Sequence, residues 1–230
     1  MEGRKTVRPS LSHAYVRVRW AYKQLKELDA QCSKRSRVLK AKVRYPKIVN
    51  KLPERVRNLF AFPGSRMPYL SQIVTGQIVN GLRSALDYLV AALAALDSGL
   101  RNGKTQFPVE SCAKCFCGRK TTFLKGLNGA HVAAIEKLQP YNGCVWTKRM
   151  AALSNLDKHN ALIPAKMDFV YGGTFDPIEG TKRNPSRYKV RVNVTPTVYV
   201  RVGEEFELME AIREIYTGVA QTLDRFNPEF

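Results

Sequence analysis

Acidic residues are scarce in this chain: 19 Asp+Glu stand against 38 Lys+Arg, a formal net charge of +19 with three histidines counted neutral. Self-repulsion of that size opposes a compact state unless something answers it, and a polyanion is the usual answer. Long apolar runs are missing as well. The longest, Tyr88 to Leu96, reaches about half of the roughly 20 residues that a membrane span needs, so it reads as a buried helix and no membrane partner is expected. The opening stretch, MEGRKTVRPS, lacks the apolar segment of a secretory signal. Five cysteines, three of them within Cys112-Ala-Lys-Cys115-Phe-Cys117, do not make a paired disulfide framework, and a reducing, cytoplasmic setting is the simpler expectation. Signatures of P-loop, dinucleotide-binding and serine-hydrolase sites are all missing, for there is no phosphate-cradling glycine run and no nucleophile elbow.

What is present is enough apolar residue, 44% of 230, to bury a continuous core. The basicity is concentrated: residues 1–66 carry 18 Lys+Arg against 4 acids, residues 67–110 balance at 3 against 3, residues 111–160 carry 8 against 2, and residues 161–230 carry 9 against 10. The excess is a patch rather than a haze. Within it, Ala14, Val18, Ala21, Leu25 and Leu28 recur at spacings of four and three, predicting an amphipathic helix over about 11–31 with Arg17, Arg19, Lys23 and Lys26 off the apolar stripe. Lys34-Arg35-Ser36-Arg37 follows, then Lys40, Lys42 and Arg44 alternating with Leu39, Ala41 and Val43, the pattern of a half-exposed strand. Arg55 and Arg57 open a segment to Phe62 that reads as the returning strand of a hairpin. A solvated face explains most charge runs, but an excess this large and local points to nucleic-acid contact. Tyr15, Trp20, Tyr22 and Tyr45 have the chemistry to stack bases, although aromatics at helical spacing more often belong to a core.

Ile73, Val74, Ile78, Val79, Leu82, Leu86, Leu89, Val90 and Leu93 repeat at helical period and predict the central core helix over about 70–96. Asn80, Arg83 and Asp87 stand at i, i+3 and i+7 of it and so share one strip beside the apolar face. That strip is either a surface pair of Arg83 with Asp87 or the lining of a site. A further helix over about 146–160 carries Asn155, Asp157, Lys158 and His159, with Asn155 and His159 on the same side. A lone histidine at a helix end is as often structural as chemical. In the last third, Leu162 to Tyr171 and Tyr188 to Val202 alternate as strands, with Thr195-Pro196 as a break. Phe206, Met209, Ile212, Ile215 and Val219 then predict a closing helix with Glu204, Glu205, Glu207 and Glu210 crowding its start.

Four segments, Asn80-Gly-Leu-Arg83-Ser-Ala-Leu-Asp87, Thr105-Gln-Phe-Pro108, Leu138-Gln-Pro-Tyr141 and Leu156-Asp-Lys-His159-Asn, resemble a family of uncharacterised bacterial and phage proteins over roughly residues 70–165. A broader similarity is to HEPN domains, helical bundles that often dimerise and cleave RNA without metal. HEPN nucleases carry an arginine and a histidine four to six residues apart on one helix; here Asn155 stands four before His159, Arg149 ten before it, and Arg83 on the other helix is left to supply the cation. The resemblance implies His159 as general acid or base, Arg83 or Lys158 against the developing phosphorane charge, and Asn155, Asn80 and Asp87 as orienting groups.

The expectation is therefore a single α+β domain, mainly a HEPN-like helical bundle with a small antiparallel sheet. It would comprise a basic helix and hairpin over 1–66, a helical core over 67–160, and strands with a closing helix over 161–230. Nucleic acid, RNA before DNA, is the expected partner, with a protein assembly or homodimer as further company. The alternative to a nuclease is a non-catalytic basic subunit of a ribonucleoprotein or phage-defence complex. No cofactor is required, while Cys112, Cys115 and Cys117 with Cys144 or His131 offer a zinc set that has the Cys-x-x-Cys spacing but no second pair.

Overall fold

A computed structural model describes residues 9–33, 37–44, 65–67, 69–99, 104–160, 163, 165–177, 187–202 and 204–230, with backbone alone over 32–33, 37–44, 65–66, 158–160, 165–177, 187–202 and 204–205. In chain order the elements are α1 (Ser12–Ser33), β1 (Arg37–Arg44), β2 (Ser65–Arg66), α2 (Tyr69–Ser98), α3 (Ala113–Phe123), α4 (Gly129–Glu136), a short 3₁₀ turn (Pro140–Asn142), α5 (Val145–Asn160), β3 (Ala165–Pro177), β4 (Arg187–Val202), β5 (Glu204–Glu207), α6 (Leu208–Phe226) and a terminal 3₁₀ turn (Asn227–Glu229). Described residues are mostly helical. They divide between two compact units, Met1–Glu27 with Tyr69–Ile163 and Met209–Phe230, and Leu28–Pro68 with Pro164–Leu208.

The helical unit follows from its stripes. Ala14, Val18, Ala21 and Leu25 are buried on α1, as is Leu11 just before it; Ile78, Leu82, Leu86, Leu89 and Leu93 are fully buried on α2; Met150 and Leu153 do the same on α5, and Ile212, Ile215, Val219 and Leu223 on α6. Each such side chain contributes about 1.5–3 kcal/mol when withdrawn from water. α2 ends at Gly99, whose φ of 68° is a left-handed conformation and whose N–H closes the last turn on the Ala95 carbonyl at 3.1 Å. By length and composition α2 could cross a membrane, with a mean hydropathy of 1.3 over its most apolar 18 residues, longer than the Tyr88–Leu96 run suggested. However, 56% of that window is buried against the rest of the protein, the behaviour of a core helix and compatible with a soluble chain.

In the second unit the strands run β1-β4-β3-β2, all antiparallel, and β5 pairs with β4. One edge of β4 meets β3 from Tyr188 to Val200; the other is shared by β1, over Arg187 to Val194, and β5, over Tyr199 to Val202. Thr195-Pro196 does not break the strand as expected. Pro196 falls between the stretches that β1 and β5 cover, where a missing N–H forfeits no bond on that edge. Glu204, Glu205 and Glu207 lie in β5 rather than at the start of the closing helix, because the chain folds back on β4 before α6 begins; only Glu210 falls in its first turn. β1 pairs with β4, and the expected return strand Arg55–Phe62 lies outside the described residues.

Candidate nucleic-acid interface

The segments around Asn80–Asp87, Thr105–Pro108, Leu138–Tyr141 and Leu156–Asn160 are tied to one another. Asp87 on α2 accepts from the Phe107 N–H at 2.8 Å, fastening the extended Thr105–Pro108 stretch along the helix. Gln139, fully buried, donates to the Pro108 carbonyl at 2.9 Å and the Ile135 carbonyl at 3.1 Å, and accepts from the Glu110 N–H at 2.9 Å. Tyr141 donates to Glu136 at 2.8 Å, and burial followed by that carboxylate pushes its pKa up to about 12. Asn80 donates to Asp157 Oδ2 at 2.7 Å. Asp157 sits so close to α2 that a Cβ on Gly76 would meet its Oδ1 at 2.2 Å. Both contacts set α2 against α5 two residues before His159.

Of the expected chemical residues, then, Asn80 bridges α2 to α5 and Asp87 holds a loop backbone. Arg83 is half-buried, and no described carboxylate pairs with it. Asn155 is exposed on α5. Lys158 and His159 occupy the last turn of α5, and their side chains lie outside the described residues.

The cationic residues fall in two places. On α1, Arg17, Arg19, Lys23 and Lys26 are exposed, as expected from their place off the stripe, with Lys26 Nζ 4.4 Å from the Tyr22 ring centroid. Lys34 and Arg35, like Arg55, Arg57 and Tyr45, lie outside the described residues. On β1 the register sets Lys40 opposite Arg191, Lys42 opposite Lys189 and Arg44 opposite Arg187. Pleating places these six positions on one face of the two-stranded ladder, while Leu39, Ala41 and Val43 with Val192, Val190 and Tyr188 take the other. Arg37, opposite Val194, falls on the second face. Like charges directly opposed in adjacent strands are destabilising, and here three successive rungs repeat the arrangement. Arg187, Lys189 and Arg191 escaped the sequence reading because the last third of the chain is nearly neutral; their period-two spacing was the available signal.

Other expected residues are placed as follows. Cys112 and Cys115 form a disulfide at the start of α3, their Cα atoms 5.2 Å apart, which corrects the expectation of wholly reduced cysteines: one helical turn at the N-terminus brings the pair into bonding range. Cys117 and Cys144 are free, and no group of three or more metal-ligating side chains that could hold a metal occurs among the described residues. Tyr15 donates to Asp224 at 2.8 Å, and burial and that carboxylate raise its pKa to about 12; Tyr22 stacks on Tyr216 at 5.2 Å. Trp20 is 39% exposed.

His131 has a different environment from the one proposed for it. Nδ1 meets Asp97 Oδ2 and Nε2 meets Glu229 Oε2, each at 2.6 Å. Burial opposes the imidazolium, but the two carboxylate hydrogen bonds outweigh it and the pKa is raised. Asp97 also accepts from the Asn128 N–H and amide at 2.8 and 2.9 Å, and Asn128 in turn caps α4 by accepting from the His131 N–H. The histidine thus clasps the end of α2, the start of α4 and the chain's last turn. No protein-family model, curated protein or solved structure matches the chain.

Proposed function

We propose that the chain binds nucleic acid, RNA before DNA, and cleaves RNA without metal at a centre between α2 and the end of α5, within a helical fold of HEPN type. The observation that carries the binding half is the β1–β4 ladder, in which Lys40, Lys42 and Arg44 oppose Arg191, Lys189 and Arg187. Three rungs of opposed cations are unfavourable alone and become favourable beside a phosphate backbone, whose neutralisation releases counterions. Exposed Arg17, Arg19, Lys23 and Lys26 add a second positive surface on α1.

The chemical half rests on residue types and on the Asn80–Asp157 bond that sets α2 against α5. His159 acts as general base toward a ribose 2′-hydroxyl or as general acid toward the departing 5′-oxygen as the 2′-oxygen attacks the adjacent phosphorus. Arg83 and Lys158 offset the charge gathering on the phosphorane oxygens, Asn155 orients the phosphate, and Asn80 and Asp87 keep the two helices and the Thr105–Pro108 stretch in place. Products would carry 2′,3′-cyclic phosphate and 5′-hydroxyl ends, and a chelator would leave the rate unchanged. His159→Ala is expected to lower cleavage about 10²–10⁴-fold while leaving RNA affinity within about twofold. Cleavage that survives this substitution overturns the nuclease assignment, and pure protein that binds RNA without cutting it makes the chain a basic subunit of a larger ribonucleoprotein or defence assembly.

A further inference from the structure

On α1, His13, Val16, Arg17 and Trp20 stand at i, i+3, i+4 and i+7 and share one strip. The strip faces Gly81 and Tyr88 of α2, themselves two turns apart. The Trp20 ring lies against α2 beside Gly81: a Cβ at Gly81 would be 3.5 Å from Trp20 Cε3 and Cζ3, ordinary van der Waals contact. Further along, the rings of His13 and Tyr88 stack at 5.9 Å with 30° between their planes. A cleft of about 280 Å³ opens between the two helices, lined by His13, Val16, Arg17, Trp20 and Tyr88.

Most large apolar side chains of this unit are buried, yet Val16, Trp20 and Tyr88 are 60%, 39% and 40% exposed, side by side. Arg17 at the rim is exposed and pairs with no described carboxylate. The cleft is a little smaller than ordinary small-ligand sites, about 300–1,000 Å³, which suits one planar ring better than a folded peptide or a second helix. Aromatic faces beside such a guanidinium complement a flat heterocycle attached to a phosphate.

We propose that this cleft holds an unpaired base of single-stranded nucleic acid, stacked on Trp20 or Tyr88, with Arg17 meeting the adjoining phosphate. The proposal rests on the nucleic-acid reading above and sharpens it to strands whose bases are free. A duplex hides its base faces, so it gains only the electrostatic part of the contact.

The experiment measures binding of a labelled oligoadenylate and of an RNA duplex of equal length to the intact chain, by anisotropy. Trp20→Ala and Tyr88→Ala are each expected to weaken the single strand roughly five- to hundred-fold and the duplex by less than about twofold. Trp20→Phe, which keeps an aromatic face and the helix contact, is expected to stay within about threefold of the parent. Adenosine monophosphate should also quench the fluorescence of Trp20 in a Trp146→Phe background. Equal losses on both ligands, or no loss in either alanine variant while the parent binds in a salt-dependent manner, would overturn the base site and leave the cationic surfaces standing. A parent protein that binds neither ligand overturns both.

Discussion

Gln139 commits its amide to three backbone groups, the carbonyls of Pro108 and Ile135 and the N–H of Glu110, in a position with no solvent access. Truncation would leave those groups buried and unsatisfied, at about 1–3 kcal/mol for an orphaned polar group, so Gln139→Ala is expected to lower stability by at least that amount in urea unfolding. His131 makes a residue-scale prediction of a different kind. Its folded pKa is raised above the ordinary 6.5 by Asp97 and Glu229, burial notwithstanding, so the folded state binds the proton more tightly than the unfolded one. The resulting stability is fully present below about pH 6.5 and is lost as pH climbs through the raised value. Melting temperature should therefore fall between pH 6 and pH 9 in the parent and lose most of that slope in His131→Gln; an equal slope in both would rule out the histidine as its source.

Helix contacts in this protein depend on positions without side chains. A Cβ at Gly218 on α6 would fall 2.5 Å from the Trp146 ring of α5, and one at Gly76 on α2 would fall 2.2 Å from Asp157 Oδ1. Alanine gains about 1 kcal/mol of helix propensity over glycine, but displacing a rigid indole packed against the helix costs more, about 1–3 kcal/mol for overpacking. Gly218→Ala is expected to destabilise on balance by chemical denaturation, and Gly76→Ala to do so by dislodging Asp157 from Asn80; a stabilised variant at either site would mean that the helices separate easily. These contacts explain what the sequence disclosed. The helices expected over 11–31, 70–96 and 146–160 appear as Ser12–Ser33, Tyr69–Ser98 and Val145–Asn160, because an apolar stripe at helical period is a local signal. The acids from Glu204 to Glu207 misled, since negative charge near a helix start is equally compatible with a strand that precedes it. Asn80 and Asp87 were visible as polar residues at a core edge, and Gln139 only as part of the Leu138-Gln-Pro-Tyr141 segment. That they bond Asp157, the Phe107 N–H and the Pro108 carbonyl was not, because such partners lie 20 to 77 residues away and only folding selects them. The Cys-x-x-Cys spacing is shared by metal pairs and by disulfides, so the Cys112–Cys115 bond was not legible in it.

The net charge of +19 admits two physical meanings: a diffuse excess that keeps the protein soluble, or a surface that binds. Stability and affinity respond to them in opposite ways. In the β1–β4 ladder, Lys40 and Lys42 stand opposite Arg191 and Lys189, so Lys40→Glu with Lys42→Glu turns two repulsive rungs into attractive ones. Each cross-strand pair is worth about 0.2–1 kcal/mol, and the double variant should melt higher than the parent when nucleic acid is absent. If the ladder carries the partner's phosphates, the same variant binds more weakly, and the dependence of log affinity on log salt flattens by about 0.7 to 0.9 for each phosphate that is no longer neutralised. Lys125→Glu with Arg225→Glu, two exposed positions elsewhere, makes an identical change in net charge. A diffuse excess predicts equal losses of affinity from the two double variants. A binding ladder predicts a flattened salt slope from the first alone, together with a gain in stability that a purely structural role for those lysines would not produce.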